Sequence, residues 1–253
     1  MGRITRDGRG ARSRLIALAV GLALVLGGCS ATPLSPQAES TPTAPAHARP
    51  VPTTTVAPVP VPVQPVLDEE MLALVNGFVA RPDVLELRGD GVVLTTLSYM
   101  SSPANAIAVL SAVFGEPPVD EAYQGTNHAP PGVFHRWDDF VLDERLYDEQ
   151  RRVDDGLDYL VWPRFAVSFD GPASGDMPMS SSEGIQAGDS WEFASSRPGF
   201  DSDLYTCIGT VVDVIDVPVP DGSTAQAAVV AVESDEGTVR WVAAPEMVVD
   251  GCA

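Results

Sequence analysis

The sequence predicts an α+β fold, with N-terminal helices followed by a mostly antiparallel β-sheet. Apolar residues recur at helical spacing in residues 67–78 and 103–114, whereas the segments after residue 132 are rich in β-branched and aromatic residues between turn-forming residues. Because the helices precede the strands and do not alternate with them, the sheet is expected to be antiparallel. Two packed α+β subdomains, divided near residues 171–183, are the alternative to a single domain.

The first predicted helix begins the folded region. Three acids at residues 68–70 suit a helix start, where the helix dipole favours negative charge. Arg81-Pro82 is expected to end it, because the residue before a proline disfavours the helical conformation. The apolar positions that define its buried face are Leu67, Met71, Leu74, Val75 and Phe78.

A hairpin and a second helix are predicted next. Residues 84–87 and 92–97 are expected to pair around the turn Gly89-Asp90-Gly91. Residues 103–114 place apolar side chains on one helical face, and Gly115 is expected to stop that helix.

The remainder of the domain is predicted to be strand-rich. An acidic segment, residues 143–158, is expected to be an exposed loop or a short helix. The two stretches of helix followed by strands can also be interpreted as an internal duplication, but no residue-level identity supports it, and two unrelated stretches with the same common order of elements are favoured. The predicted elements are strands at 133–142 and 160–169, a short helix at 191–196, and a meander of strands at 206–217, 227–233 and 238–243.

Composition narrows the functional classes. The chain has 253 residues, a net charge of −20 and no lysine, so all 15 basic residues are arginine. Without lysine there is no Walker-type phosphate loop, no Schiff-base amine and no Ser-x-x-Lys nucleophile. Residues 67–253 carry nine Arg against 33 acids, and such an anionic body repels nucleic acid. We expect no cofactor and no nucleic-acid partner.

The N-terminus has the pattern of an export signal. Five arginines precede a 12-residue apolar run, residues 15–26, which is too short for a bilayer span of about 20 residues. The run ends in Leu26-Gly27-Gly28-Cys29, which resembles the lipobox of bacterial lipoproteins; the resemblance covers residues 1–29. It implies removal of residues 1–28 as a signal peptide and attachment of diacylglycerol and palmitate to Cys29. An ordinary secretory signal with a chance cysteine is the alternative.

That resemblance implies a location and an anchor. Two acyl chains bury enough CH₂ groups for stable attachment, so the mature protein is expected at the outer face of the cytoplasmic membrane. Residues 30–66 contain ten prolines and only two charges, which predicts an extended, disordered Pro/Thr/Ala-rich stalk that begins after the acylated cysteine. The division is therefore a signal peptide at 1–28, an anchor and stalk at 29–66, and an extracytoplasmic domain at 67–253.

Two cysteines remain once Cys29 is acylated. Cys207 and Cys252 are expected to form a disulfide, as pairs of cysteines in exported domains usually do. The alternative is a free thiol nucleophile, which needs a base from His128 or His135.

Several weaker patterns could carry chemistry. His128 and His135, with Asp138 or Asp139, could bind zinc or copper, but the His-x₆-His spacing favours ordinary surface roles. Trp137 lies among polar residues and is the best candidate for an exposed ligand contact, with His128, His135 and Asp139 as neighbours in that speculative site.

Two other motifs are also better explained structurally. Gly188-Asp189-Ser190 resembles an esterase block, but no Asp-x-x-His follows, so a turn that caps a helix is favoured. The acidic segment 138–158 lacks a complete calcium loop, and any acidic chain offers carboxylate pairs such as Asp139 and Asp143.

No catalytic or metal-ligating residue is therefore assigned. We predict a non-enzymatic lipoprotein that acts as a binding or structural module of the cell envelope, with an envelope protein, the cell wall or a small solute as partner. An envelope hydrolase or metal-dependent enzyme with an unrecognised Asp/His site is the alternative.

Overall fold

The structure is a computed structural model that describes residues 68–126, 130–154, 162–219 and 221–248. All of these residues belong to one compact unit of the chain, residues 61–253. They form mostly antiparallel β-sheet with few, short helices, so the predicted α+β class is confirmed at this coarse level and the helical share is smaller than predicted.

The smaller of two sheets has five strands, which are β1 (Gly77–Ala80), β2 (Val84–Gly89), β3 (Val92–Ser98), β8 (Ala173–Ser174) and β9 (Met177–Ser181). Their order in the sheet is β3-β2-β1-β9-β8. The pairings are antiparallel except for the parallel contact between β1 and β9.

The larger sheet has eight strands, which are β4 (Val119–Tyr123), β5 (Gly132–Trp137), β6 (Phe140–Arg145), β7 (Phe165–Phe169), β10 (Asp201–Tyr205), β11 (Thr210–Pro218), β12 (Thr224–Glu233) and β13 (Val239–Met247). Their order is β10-β11-β12-β13-β7-β6-β5-β4, and every pairing is antiparallel. Two four-stranded meanders are therefore joined through their last strands, β7 and β13.

Four helices are described: α1 (Glu69–Leu72), α2 (Pro103–Phe114), α3 (Glu149–Asp154) and α4 (Trp191–Ser195). Helix α2 matches its prediction, including the stop at Gly115, whose φ of 75° is a conformation that glycine adopts at no steric cost. The predicted hairpin is also confirmed, with Asp90 and Gly91 at φ 50° and 78° in its turn.

The first predicted helix is wrong beyond one turn. Helix α1 ends at Leu72, and residues 77–80 form β1, which is hydrogen-bonded between β2 and β9. Phe78 lies at helical spacing from the other apolar residues in the sequence, but its buried side chain projects from strand β1. Tertiary pairing on both sides of β1 thus overrides a pattern with local helical spacing.

The predicted strand at 133–142 is two strands. Asp138, at φ 50°, and Asp139 form a two-residue turn, so that Trp137 pairs with Phe140. Aspartate tolerates the left-handed conformation better than most residues, which makes the Asp-Asp pair a turn signal that the apolar pattern concealed. Strands β4, β8, β9 and β10 were also absent from the sequence-based prediction.

The main core lies between the two sheets and α2. We call the face of the large sheet that packs on this core the inner face, and the opposite one the outer face. An aromatic cluster links the layers, with Phe78 of the small sheet 5.1 Å from Phe140 of the large sheet between ring centroids. Phe114 of α2 packs against both rings.

Element order repeats along the chain. Helix α2 precedes the meander β4–β7, helix α4 precedes the meander β10–β13, and the last strands of the two meanders pair. In that pairing Val167 lies opposite Ala244, and Phe169 lies opposite Val242. The correspondence is one of topology.

Candidate functional site

His135 lies at the centre of an ionic cluster on the inner face near the β4 edge. Asp120 of β4 is directly opposite His135 of β5, and Glu144 of β6 lies two residues beyond the partner Leu142, so strand alternation puts all three on one face. His135 Nδ1 is 2.7 Å from Asp120 Oδ1, and Nε2 is 3.0 Å from Glu144 Oε2. The ring is buried, whereas Asp120 is largely exposed.

This geometry limits what the histidine can do. An ionised carboxylate only accepts hydrogen bonds, so both contacts form together only when the imidazole carries both protons and donates from each nitrogen. With each ring nitrogen facing a carboxylate, neither nitrogen is free to accept a proton from a substrate or to bind a metal. Among the residues that the structure describes, no group of three His, Cys, Asp or Glu side chains could hold a metal ion.

A second cluster lies on the outer face, beside the first. The Tyr123 hydroxyl donates to Asp143 at 2.7 Å, and Arg145 lies 3.5 Å from Asp143 and 3.8 Å from Glu246. Burial and the hydrogen bond to Asp143 raise the pKa of Tyr123, so the phenol stays a donor.

Burial disfavours the charged forms of both Arg145 and Glu246, but it decides the direction of the pKa shift only for Glu246. Burial alone lowers the pKa of Arg145, but Glu246 and Asp143 outweigh it, and the net pKa is raised. Burial raises the pKa of Glu246, and Arg145 at 3.8 Å lowers it by less than burial and the neighbouring Asp143 raise it. Arg145 is therefore held charged between two acids.

Arg136 forms a third cluster further along the outer face. Its guanidinium lies 3.3 Å from Asp170 and 3.6 Å from Glu121, and it covers the ring of Phe134 at 5.4 Å from the centroid. Phe134 in turn stacks on Tyr123, with centroids 4.6 Å apart. Like Arg145, this arginine is fixed between two carboxylates.

A fourth ionic cluster connects the sheets away from β4. The carboxylate of Glu86 accepts from Arg81 Nε at 2.9 Å and from Arg88 Nε at 2.8 Å. Arg81 also approaches Asp213 of β11 at 3.9 Å, and the Ser182 hydroxyl donates to Asp213. The contacts with Asp213 link the small sheet and the residue after β9 to the large sheet, so this cluster has a structural role.

Trp137 corrects the expectation of an exposed ligand contact. It is 2% exposed, its ring stacks on Phe114 with centroids 5.3 Å apart, and its Nε1 donates to the carbonyl of Glu116 at 3.0 Å. Its polar neighbours Arg136 and Asp138 do not share its environment, because adjacent residues of a strand point to opposite faces. Trp137 belongs to the core.

The speculative site of Trp137, His135, His128 and Asp139 is only partly described. Asp139 is exposed in the β5–β6 turn, where its side chain lies against Gly171, and His135 is held by Asp120 and Glu144. His128 lies outside the described residues. The capping interpretation of Gly188-Asp189-Ser190 is confirmed, because the Ser190 hydroxyl accepts from the Phe193 amide at 3.1 Å.

The predicted anchor and one of the two cysteines of the predicted disulfide lie outside the described residues. These are the lipobox residues Leu26, Gly27 and Gly28, the acylated Cys29, and Cys252. Cys207 follows β10 and is disulfide-bonded, but it is the only cysteine among the described residues. Its pairing with Cys252 therefore stays a prediction.

Sequence reasoning missed Asp120 and Glu144, the two partners of His135. The signal was present in the run Val119-Asp120-Glu121-Ala122-Tyr123, whose ends are β-formers, but two adjacent acids concealed the strand. Glu144 lies on the same face as His135 only because the turn at Asp138-Asp139 sets the register of β5 and β6, and the sequence pattern did not show that turn.

No described helix is both long and apolar enough to cross a membrane.

Comparisons with known proteins identify no family for this chain. No protein-family model, no curated protein and no solved structure matches it.

Proposed function

We propose that this chain is a lipid-anchored extracytoplasmic protein that works by binding or supporting a partner in the cell envelope, without catalysis. The anchor rests on Leu26-Gly27-Gly28-Cys29 and the charged and apolar segments before it. The stalk of residues 30–66 spaces the folded domain away from the membrane, toward the wall or other envelope proteins.

The observation that carries the non-catalytic part is the arrangement at His135. A general base needs a free, correctly placed nitrogen, and an activated nucleophile needs a base within reach. Here each nitrogen of the ring is engaged by Asp120 or Glu144. Arg136 and Arg145 are likewise each fixed between two acids. Such clusters fix a surface in one shape, which suits recognition.

The finer architecture is part of the same proposal. We infer that the domain consists of two α+β halves, each a helix followed by a four-stranded meander. The repeated element order and the β7–β13 pairing support this. A Cys207–Cys252 bridge would close a loop of 46 residues and hold the C-terminus to the second half.

The anchor is tested by mass spectrometry of the mature N-terminus. We expect a chain that begins at Cys29 with the mass of the acyl groups, and a soluble, unacylated product from Cys29→Ser. A wild-type chain that begins at Met1, or that carries no lipid, would refute the location.

The binding role is tested by crosslinking in intact envelopes. We expect the anchored protein to capture a defined partner, and His135→Gln to leave any hydrolytic activity of the envelope fraction unchanged. Recovery of no partner above the background of an unrelated lipoprotein would refute the proposal. So would a hydrolytic activity of the purified chain that His135→Gln abolishes.

A further inference from the structure

The edge strands of the two sheets are not equivalent. Among the described residues the sheets end at β3, β8, β10 and β4. Strand β8 has only two residues. The other two edges are irregular: the β10–β11 pairing shifts register between Asp201 and Tyr205, and the β2–β3 pairing shifts between Leu87 and Arg88 of β2. Of these four described edge strands, only β4 pairs through five consecutive residues without a shift. Short or bulged edges resist the addition of another strand, and charged side chains on a regular edge restrict which strand can be added.

Side chains of β4 are folded back onto its own sheet. On the inner face Asp120 contacts His135, and on the outer face Tyr123 donates to Asp143 while Glu121 lies 3.6 Å from Arg136. These contacts hold the strand in one register against β5 and β6. On that edge alternate residues direct their N–H and C=O groups outward, and no described strand pairs with them.

Charge selects the partner. The side chains of Asp120 and Glu121 are 62% and 67% exposed, one on each face, and Val119 is 73% exposed. In an antiparallel pairing of two copies with full overlap, Glu121 lies opposite its own copy, and like charges directly opposite are destabilising. A second copy is therefore disfavoured, whereas arginine or lysine opposite these acids is favoured.

We propose that β4 accepts an extended, basic segment of a partner protein as a ninth strand of the large sheet. The proposal rests on the binding function proposed above and names the surface and the chemistry of the partner. Main-chain hydrogen bonds supply affinity in this mode, and the side chains that alternate across the added strand supply specificity. Two adjacent basic residues would face Asp120 and Glu121, with β-branched residues on either side.

The test uses the mature lipidated chain in non-ionic detergent and a fluorescent, end-blocked peptide, Thr-Val-Thr-Arg-Arg-Val-Thr. Binding is followed by anisotropy, and hydrogen exchange of residues 119–123 is measured with and without peptide. We expect saturable binding and slower exchange in β4. Glu121→Lys should weaken binding about tenfold, since it reverses a cross-strand charge.

Matched controls separate strand addition from general attraction to an acidic protein. Asp203→Lys makes the same change of charge on the exposed, bulged edge strand β10 and should change affinity less than about twofold. A peptide N-methylated on its four central amides keeps the charge but cannot donate main-chain hydrogen bonds, and it should not bind.

Three results would overturn the proposal: equal weakening by the two lysine variants, undiminished binding of the N-methylated peptide, or protection that appears only outside β4. If envelope crosslinking still captures a partner in any of these cases, the proposed binding function stands and this docking surface does not.

Discussion

The contacts of His135 make a quantitative prediction about which carboxylate matters more for stability. Distance alone favours Asp120, at 2.7 Å, over Glu144, at 3.0 Å. Solvent favours the reverse order, because the side chain of Asp120 is 62% exposed and that of Glu144 is 24% exposed. Water and salt screen an exposed pair, and the effective dielectric constant falls as a pair is buried.

The magnitudes follow from this difference in exposure. A hydrogen bond to a charged group in a partly buried site contributes about 1.5 kcal/mol, and an exposed ion pair about 0.5 kcal/mol. We therefore expect a coupling free energy of about 1.5 kcal/mol between His135 and Glu144 and of about 0.5 kcal/mol between His135 and Asp120. His135→Ala alone should cost about 3 kcal/mol, since it also leaves a cavity and a half-buried carboxylate without its partner.

The assay is a pair of double-mutant cycles. Urea unfolding of the mature chain is followed by tryptophan fluorescence at one pH and one salt concentration, for His135→Ala, Asp120→Ala, Glu144→Ala and the two double variants that include His135. A coupling to Asp120 equal to or larger than that to Glu144 would refute the reasoning, because distance would then outweigh burial. Both couplings near zero would show that the cluster adds nothing to stability.

Three further changes test other parts of the fold. Trp137→Phe removes ring volume and the hydrogen bond to the Glu116 carbonyl, and it should lower the unfolding free energy by about 2 kcal/mol in urea titrations. Glu86→Gln removes the charge that faces two arginines and should lower the unfolding free energy by about 2 kcal/mol. The exposed control Glu69→Gln should lower it by less than about 0.5 kcal/mol. Equal losses would contradict a stabilising role for the two arginine contacts of Glu86. Burial raises the pKa of Glu246 above its usual 4.5, so the folded state binds the proton on this carboxyl more tightly than the unfolded state does. This proton stabilises the folded state fully below about pH 4.5, and the stabilisation is lost as the pH rises through the raised pKa. Thermal unfolding of Glu246→Gln across this range should therefore lack that decline, and a pH profile identical to the wild type would contradict it.

Local signals in the sequence were sufficient for elements whose conformation is set within a few residues. Gly115 requires a left-handed conformation at the end of α2, and the Gly89-Asp90-Gly91 turn closes its hairpin. Ser190 caps α4 through the amide of a residue three positions away. The mostly antiparallel sheet followed from the order of the elements, and the lipobox prediction rests on 29 residues of sequence alone.

Tertiary pairing decided the rest. Residues 77–80 became a strand because β2 and β9 bond to both of their edges, and Trp137 is buried because its strand turns that side chain toward α2. Asp120, His135 and Glu144 lie 15 and nine residues apart along the chain, and only the register of three strands brings them together. A side-chain period of two means that a shift of one residue would separate them onto opposite faces, so no local pattern could have specified the cluster.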